Sequence, residues 1–112
     1  LEVYVSTKKL KKILDSPKAM NKEFPSKVAD AVRLRLTQLR AAENLSQITH
    51  HPPMGLHKLT GNRKNQFAIW AKEKYRIVFH ALDEEDQIIK DLDVPKDTIQ
   101  KIKIIEVVNY HV

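Results

Sequence analysis

Apolar residues recur along this chain at two spacings, and the change from one to the other divides a helical first part from a stranded second part. Residues 1–5 alternate weakly and carry Val3, Tyr4 and Val5, which predicts a short strand before a turn at Ser6 or Thr7. From Lys8 the apolar positions are Leu10, Ile13 and Leu14 with lysines between them, the pattern of a short amphipathic helix that stops near Ser16 and Pro17. After Pro25, Ser26 is a candidate cap for a longer helix reaching about Glu43. Its stripe is Val28, Ala31, Val32, Leu36 and Leu39, with Arg33, Arg35 and Arg40 off that stripe. Residues 44–55 read as a loop, because Pro52 and Pro53 remove two backbone donors and forbid helix.

Beyond the loop the period is two. Strands are predicted over 56–59, 66–71 and 74–82, with Lys72 and Glu73 at a tight reversal. In the third of these, Tyr75, Ile77, Phe79 and Ala81 share one face, while Arg76, Val78 and His80 share the other. The stretch 83–98 is acidic, contains Pro95 and reads as a surface excursion. A last strand over 101–112 is predicted to set Ile102, Ile104, Glu106, Val108 and Tyr110 against Ile105, Val107, Asn109 and His111 on the opposite side. Both sides are apolar for most of its length, so the strand belongs inside the sheet, with its polar tip at the rim. A strand, two helices and four strands make an α+β domain over residues 1–112, with the helices gathered on one face of a largely antiparallel sheet. No internal repeat or linker divides it.

Composition narrows the function classes. With 112 residues, 42% hydrophobic and 30% charged, the chain has the size and balance of one folded globular domain. The absence of cysteine excludes a disulfide framework, a thiolate nucleophile and Cys-ligated zinc. No apolar run approaches a membrane span and none follows the N-terminus as a signal peptide requires, so a cytoplasmic, membrane-free protein is expected. The formal charge of +6 is unevenly spread. Between Thr7 and Arg40, ten Lys or Arg stand against three acids; between Ala81 and Gln100, seven acids stand against Lys90 and Lys96, a local net of −5 that leaves +11 on the rest. Such a distribution fits a phosphate backbone as partner, although solvated helix faces explain the N-terminal lysines equally well.

The densest polar signal is LHKLTGNRK at 56–64. Gly61 and Asn62 tolerate positive φ, so a turn there presents Arg63 and Lys64 at its tip, close to His57 and Lys58; solvated bases on a β-turn are the plainer account. The glycine spacing is not that of a Walker loop. Arg76 can project a guanidinium fork suited to phosphate, or pair with Glu106 or another carboxylate. The terminal Asn109, Tyr110 and His111 close an apolar strand whose docking would hold the histidine in place. An imidazole has a reference pKa of about 6.5 and exchanges a proton at neutral pH. His57 and His111 beside cations would therefore supply base, acid and charge stabilisation for phosphodiester cleavage. His50 and His51 are adjacent, and adjacent strand residues point apart; no metal and no cofactor is expected. Phe67 and Trp70 fall on alternating strand faces and read as core or rim aromatics.

In the succession LHKLTGNRK, QFAIW, KYRIVF and IKIIEVVNYH, the chain resembles the HigB toxins, the plasmid maintenance system killer proteins of the RelE superfamily in type II toxin-antitoxin modules. The resemblance implies a RelE-like fold and a ribosome-dependent mRNA endonuclease that cuts transcripts in the decoding site. It also implies silencing by a HigA-like helix-turn-helix antitoxin, the ribosome and mRNA as partners, and contact with DNA only through the antitoxin complex. It assigns His57, Arg76, Tyr110 and His111 to catalysis and Arg63 and Lys64 to RNA phosphate, and Lys58, from the same basic run, is expected to meet phosphate with them. The family commonly ends in Asp-Tyr-His where this chain has Asn109, Tyr110 and His111. A decayed toxin kept for antitoxin or RNA binding is thus the alternative, and a basic nucleic-acid adaptor a weaker one.

Overall fold

The computed structural model describes residues 1–109. Strand β1 (Glu2–Val5) leads to helices α1 (Lys8–Asp15), α2 (Pro17–Glu23) and α3 (Ser26–Ala41), then to strands β2 (His57–Lys58), β3 (Phe67–Trp70), β4 (Tyr75–Leu82) and β5 (Lys101–Asn109). Helix α2 is absent from the sequence reading. Pro17, which the sequence pattern reads as a stop, sits in the first turn of α2, where its missing N–H costs nothing. The Ser16 hydroxyl accepts from the Ala19 N–H at 3.1 Å, as Thr7 does from Leu10 N–H at 3.1 Å to start α1. The expected cap at Ser26 is not made: Ser26 is the first helical residue, and the cap position before it is Pro25, whose side chain makes no capping hydrogen bond.

The sheet order is β1-β5-β4-β3-β2, parallel between β1 and β5 and antiparallel elsewhere. The architecture is α+β with a mostly antiparallel sheet, as the sequence predicts, and β5 lies inside the sheet between β1 and β4. Val28, Val32, Leu36 and Leu39 of α3 join Phe67, Ile77, Phe79, Ile102 and Ile104 in one buried cluster, with Phe67 and Phe79 stacked at 5.7 Å. Each of these side chains stabilises the fold by roughly 1.5–3 kcal/mol when fully buried. No helix among the described residues is long and apolar enough to cross a membrane.

Two places in the chain depart from the expected faces. Arg35, expected off the apolar stripe, is only 7% exposed. Its Nε donates to the Trp70 carbonyl at 2.8 Å and its Nη1 to Gln38 Oε1 at 2.9 Å, so it ties α3 to the end of β3. Burial lowers its pKa, but a guanidinium remains charged at neutral pH. Arg35→Ala is expected to cost about 2 kcal/mol in urea unfolding, the weight of charge-assisted hydrogen bonds in a buried setting; a loss below about 0.5 kcal/mol would show that the tie is dispensable.

The second departure lies in β5. Val78 pairs with Glu106 and Phe79 with Ile104, so Ile105 is left without a partner on β4. This bulge turns the strand over by one residue. Ile102 and Ile104 face the helices before it, and Val107 packs against the core after it. Glu106 and Val108 therefore lie on the opposite face from Ile102 and Ile104, contrary to simple alternation.

Candidate functional site

The face of the sheet turned away from the helices carries the polar residues. Cross-strand register aligns His57, Ala68, Val78 and Glu106 in one row, and Trp70, Arg76 and Val108 in the next. On the other side of the first row lie His80, Lys103 and Tyr4. Ala68 and Val78 are small and fully buried, so they form a low floor with longer side chains around it. His57 and Arg76 sit two strands and two residues apart, about 12 Å between Cα atoms by strand geometry.

His57 is held from behind. Its Nδ1 lies 2.8 Å from the Gly55 carbonyl, which can only accept, so Nδ1 carries a proton and Nε2 is left outward. In the neutral ring that Nε2 is the basic atom. His80 is oriented in the same way by the Asn65 carbonyl at 3.1 Å. Arg76 has a rigid seat as well. Its Nη1 donates to the carbonyls of Glu73 at 2.8 Å and Tyr75 at 3.0 Å, at the β3–β4 hairpin, where Glu73 takes a φ of 55°. Among the described residues Nη2 and Nε of Arg76 make no hydrogen bond, which leaves one edge of the fork for a ligand. The guanidinium carbon stands 5.7 Å from the centre of the Trp70 ring, within cation–π range.

Arg63 does not stand out at a loop tip. The Gly61–Arg63 turn folds it back over the sheet, where it forms an ion pair with Glu106 and donates to Gln66 Oε1 at 3.3 Å. The Glu106 carboxylate is therefore taken by Arg63, and the alternative pairing of Arg76 with Glu106 is not made. Gly61 has a φ of 63°, as its turn requires. Lys64 is exposed beside it. Lys58 points to the other side of β2 and pairs with Asp93 of the acidic excursion, whose carboxyl that lysine holds below the usual carboxylate range. Tyr110 and His111 lie outside the described residues. Asn109, opposite Tyr75, is the last residue described.

The structure thus brings His57, Arg63 and Arg76 to one face and separates Lys58 from them. Sequence reasoning missed Trp70 and Gly55 as parts of this site. Trp70 was legible in principle, since a reversal at Lys72 and Glu73 sets Trp70 opposite Arg76. Gly55 was not: an added Cβ would meet three atoms of the Trp70 ring at 2.3 to 2.7 Å, a contact between a loop and a strand 15 residues later. Among the described residues no group of three or more His, Asp or Glu is placed to hold a metal ion.

No curated protein matches the chain. The family model described as the RelE-like toxin of type II toxin-antitoxin system HigB matches residues 5–97, which takes in α1 to α3, the glycine turn, β3, β4 and most of the acidic excursion. The chain belongs to this family of HigB-like, RelE-like toxins, a class defined by having an antitoxin partner.

Proposed function

We propose that residues 1–112 form one toxin domain acting in the cytoplasm as a ribosome-dependent mRNA endonuclease, silenced by a HigA-like helix-turn-helix antitoxin. The observation that carries this reading is the single sheet face with an outward imidazole nitrogen on His57 and a braced, open guanidinium on Arg76. In-line attack of a ribose 2′-oxygen on the adjacent phosphorus breaks the bond to the leaving 5′-oxygen. The step needs a base for the hydroxyl, an acid for the leaving oxygen and cations for the phosphorane charge. His57 and His111 divide the two proton transfers, and Arg76, with Arg63 and Lys64, meets the phosphate. Tyr110 stacks on a base or donates to a phosphate oxygen. Lys58 contributes at the sheet edge and not on the face. DNA lacks the 2′-hydroxyl, so this route leaves it uncut.

Induced expression without antitoxin tests the proposal. Growth arrest is expected, with new 5′ ends in translated mRNA, and His111→Ala is expected to abolish both while the circular dichroism spectrum is unchanged. Undiminished cleavage by that variant would refute the histidine's role. Asn109 favours the second reading, a toxin that has lost catalysis and keeps RNA or antitoxin binding. Harmless accumulation of folded wild-type chain would establish it over the nuclease.

A further inference from the structure

Around the edge of the sheet from the candidate face, a groove of about 430 Å³ opens beneath β2, between the loop after α3 and the turn Lys96–Thr98. Its volume falls in the range that small organic ligands fill. Ile48, Leu56 and Phe67, all almost wholly buried, make its apolar floor. His57, Lys58 and Lys96 stand on its rim, and among the described residues no carboxylate lines it. His57 borders both this groove and the sheet face.

We propose that this groove binds one nucleotide of the RNA strand, its base on the Ile48–Leu56 floor and its phosphate between Lys58 and Lys96, with Asp93 occupying Lys58 until RNA arrives. The inference rests on the nuclease reading and extends it to a subsite beside the scissile phosphate. An apolar floor next to two ammonium groups suits a base joined to a phosphate better than it suits either alone. The histidine shared with the sheet face makes the groove continuous with the site, so a strand crossing that face enters it at the next nucleotide. The Asp93 carboxylate is the competing anion. It is exposed, paired with Lys58 and braced by its own N–H donating to Asp91 Oδ1 at 3.0 Å. Being anionic at neutral pH, it must be displaced by an incoming phosphate.

The test is titration of the isotope-labelled full chain with adenosine 5′-monophosphate and, separately, with inorganic phosphate, followed by NMR. The nucleotide is expected to shift the amides of Ile48, Thr49 and Lys96 and to bind at least tenfold more tightly than phosphate. Lys96→Ala should weaken it about fivefold, and Asp93→Asn should tighten it about threefold. Shifts confined to the surroundings of Arg76, equal affinity for nucleotide and phosphate, or insensitivity to both substitutions would overturn the subsite. The two readings fail separately. Nucleotide in the groove of a chain that cuts no mRNA removes the nuclease and keeps the groove, whereas cleavage by a chain that shows none of these shifts removes the groove and keeps the nuclease.

Discussion

Replacing Arg76 by alanine is expected to reduce mRNA cleavage on translating ribosomes by about 100- to 1,000-fold, the usual loss when one preorganised donor to a developing oxyanion is removed. The guanidinium is set before RNA arrives: Nη1 is held by the Glu73 and Tyr75 carbonyls and the ring of Trp70 lies beside it, so little reorganisation is left for the reaction itself. Arg76→Lys should recover little of the loss. One ammonium cannot keep both carbonyl bonds and also offer a planar fork to phosphate. Because Arg76 is half-buried at a hairpin and not in the core, the unfolding midpoint of Arg76→Ala should move little, which separates a lost donor from a lost fold. The rate of appearance of new mRNA 5′ ends measures the effect, and cleavage within threefold of wild type would remove Arg76 from the phosphate site.

How much of this was legible in the sequence depends on whether a feature is set locally or by tertiary contact. The change of period from helical to alternating located α1, α3 and every strand, because side-chain burial imposes those periods directly. Helix α2 escaped because Pro17 has two opposite meanings: it ends the helix before it and suits the first turn of the next, and only the Ser16 cap decides between them. Alternation placed Arg76 on the face away from the core correctly, since β4 itself runs without interruption. In β5 the same logic failed past Ile105, where the bulge reverses the faces and delivers Glu106 to Arg63. Nothing in the run IKIIEVVN marks which residue is squeezed out of register, since apolar residues occupy both sides. The pairing of Lys58 with Asp93 was equally out of reach, because it joins residues 35 apart through a loop whose path is tertiary.

The glycine that the sequence offered only as part of a loop carries the other large prediction. Gly55 has a φ of 61°, its N–H donates to the His51 carbonyl at 3.0 Å, its carbonyl orients His57, and its α-carbon lies against the Trp70 indole. A methyl group there meets backbone strain of about 1 kcal/mol and a ring it cannot coexist with, which adds about 2 kcal/mol of overpacking. Gly55→Ala is therefore expected to lose about 3 kcal/mol in urea unfolding. Trp70 is the sole tryptophan, so its displacement is read directly as a shift in fluorescence emission. Gly61→Ala supplies the internal comparison. Its φ of 63° imposes the same backbone strain, but among the described residues an added Cβ meets nothing within 4 Å, so about 1 kcal/mol and no spectral shift are expected. Equal losses at the two positions, or an unmoved emission maximum in Gly55→Ala, would show that the indole does not rest on this glycine. Cleavage is also expected to fall in Gly55→Ala beyond what Gly61→Ala loses, because a displaced ring no longer flanks Arg76 and a shifted carbonyl no longer fixes the tautomer of His57. The two halves of the site, on strands that are not neighbours, are thus held in common by one residue that has no side chain.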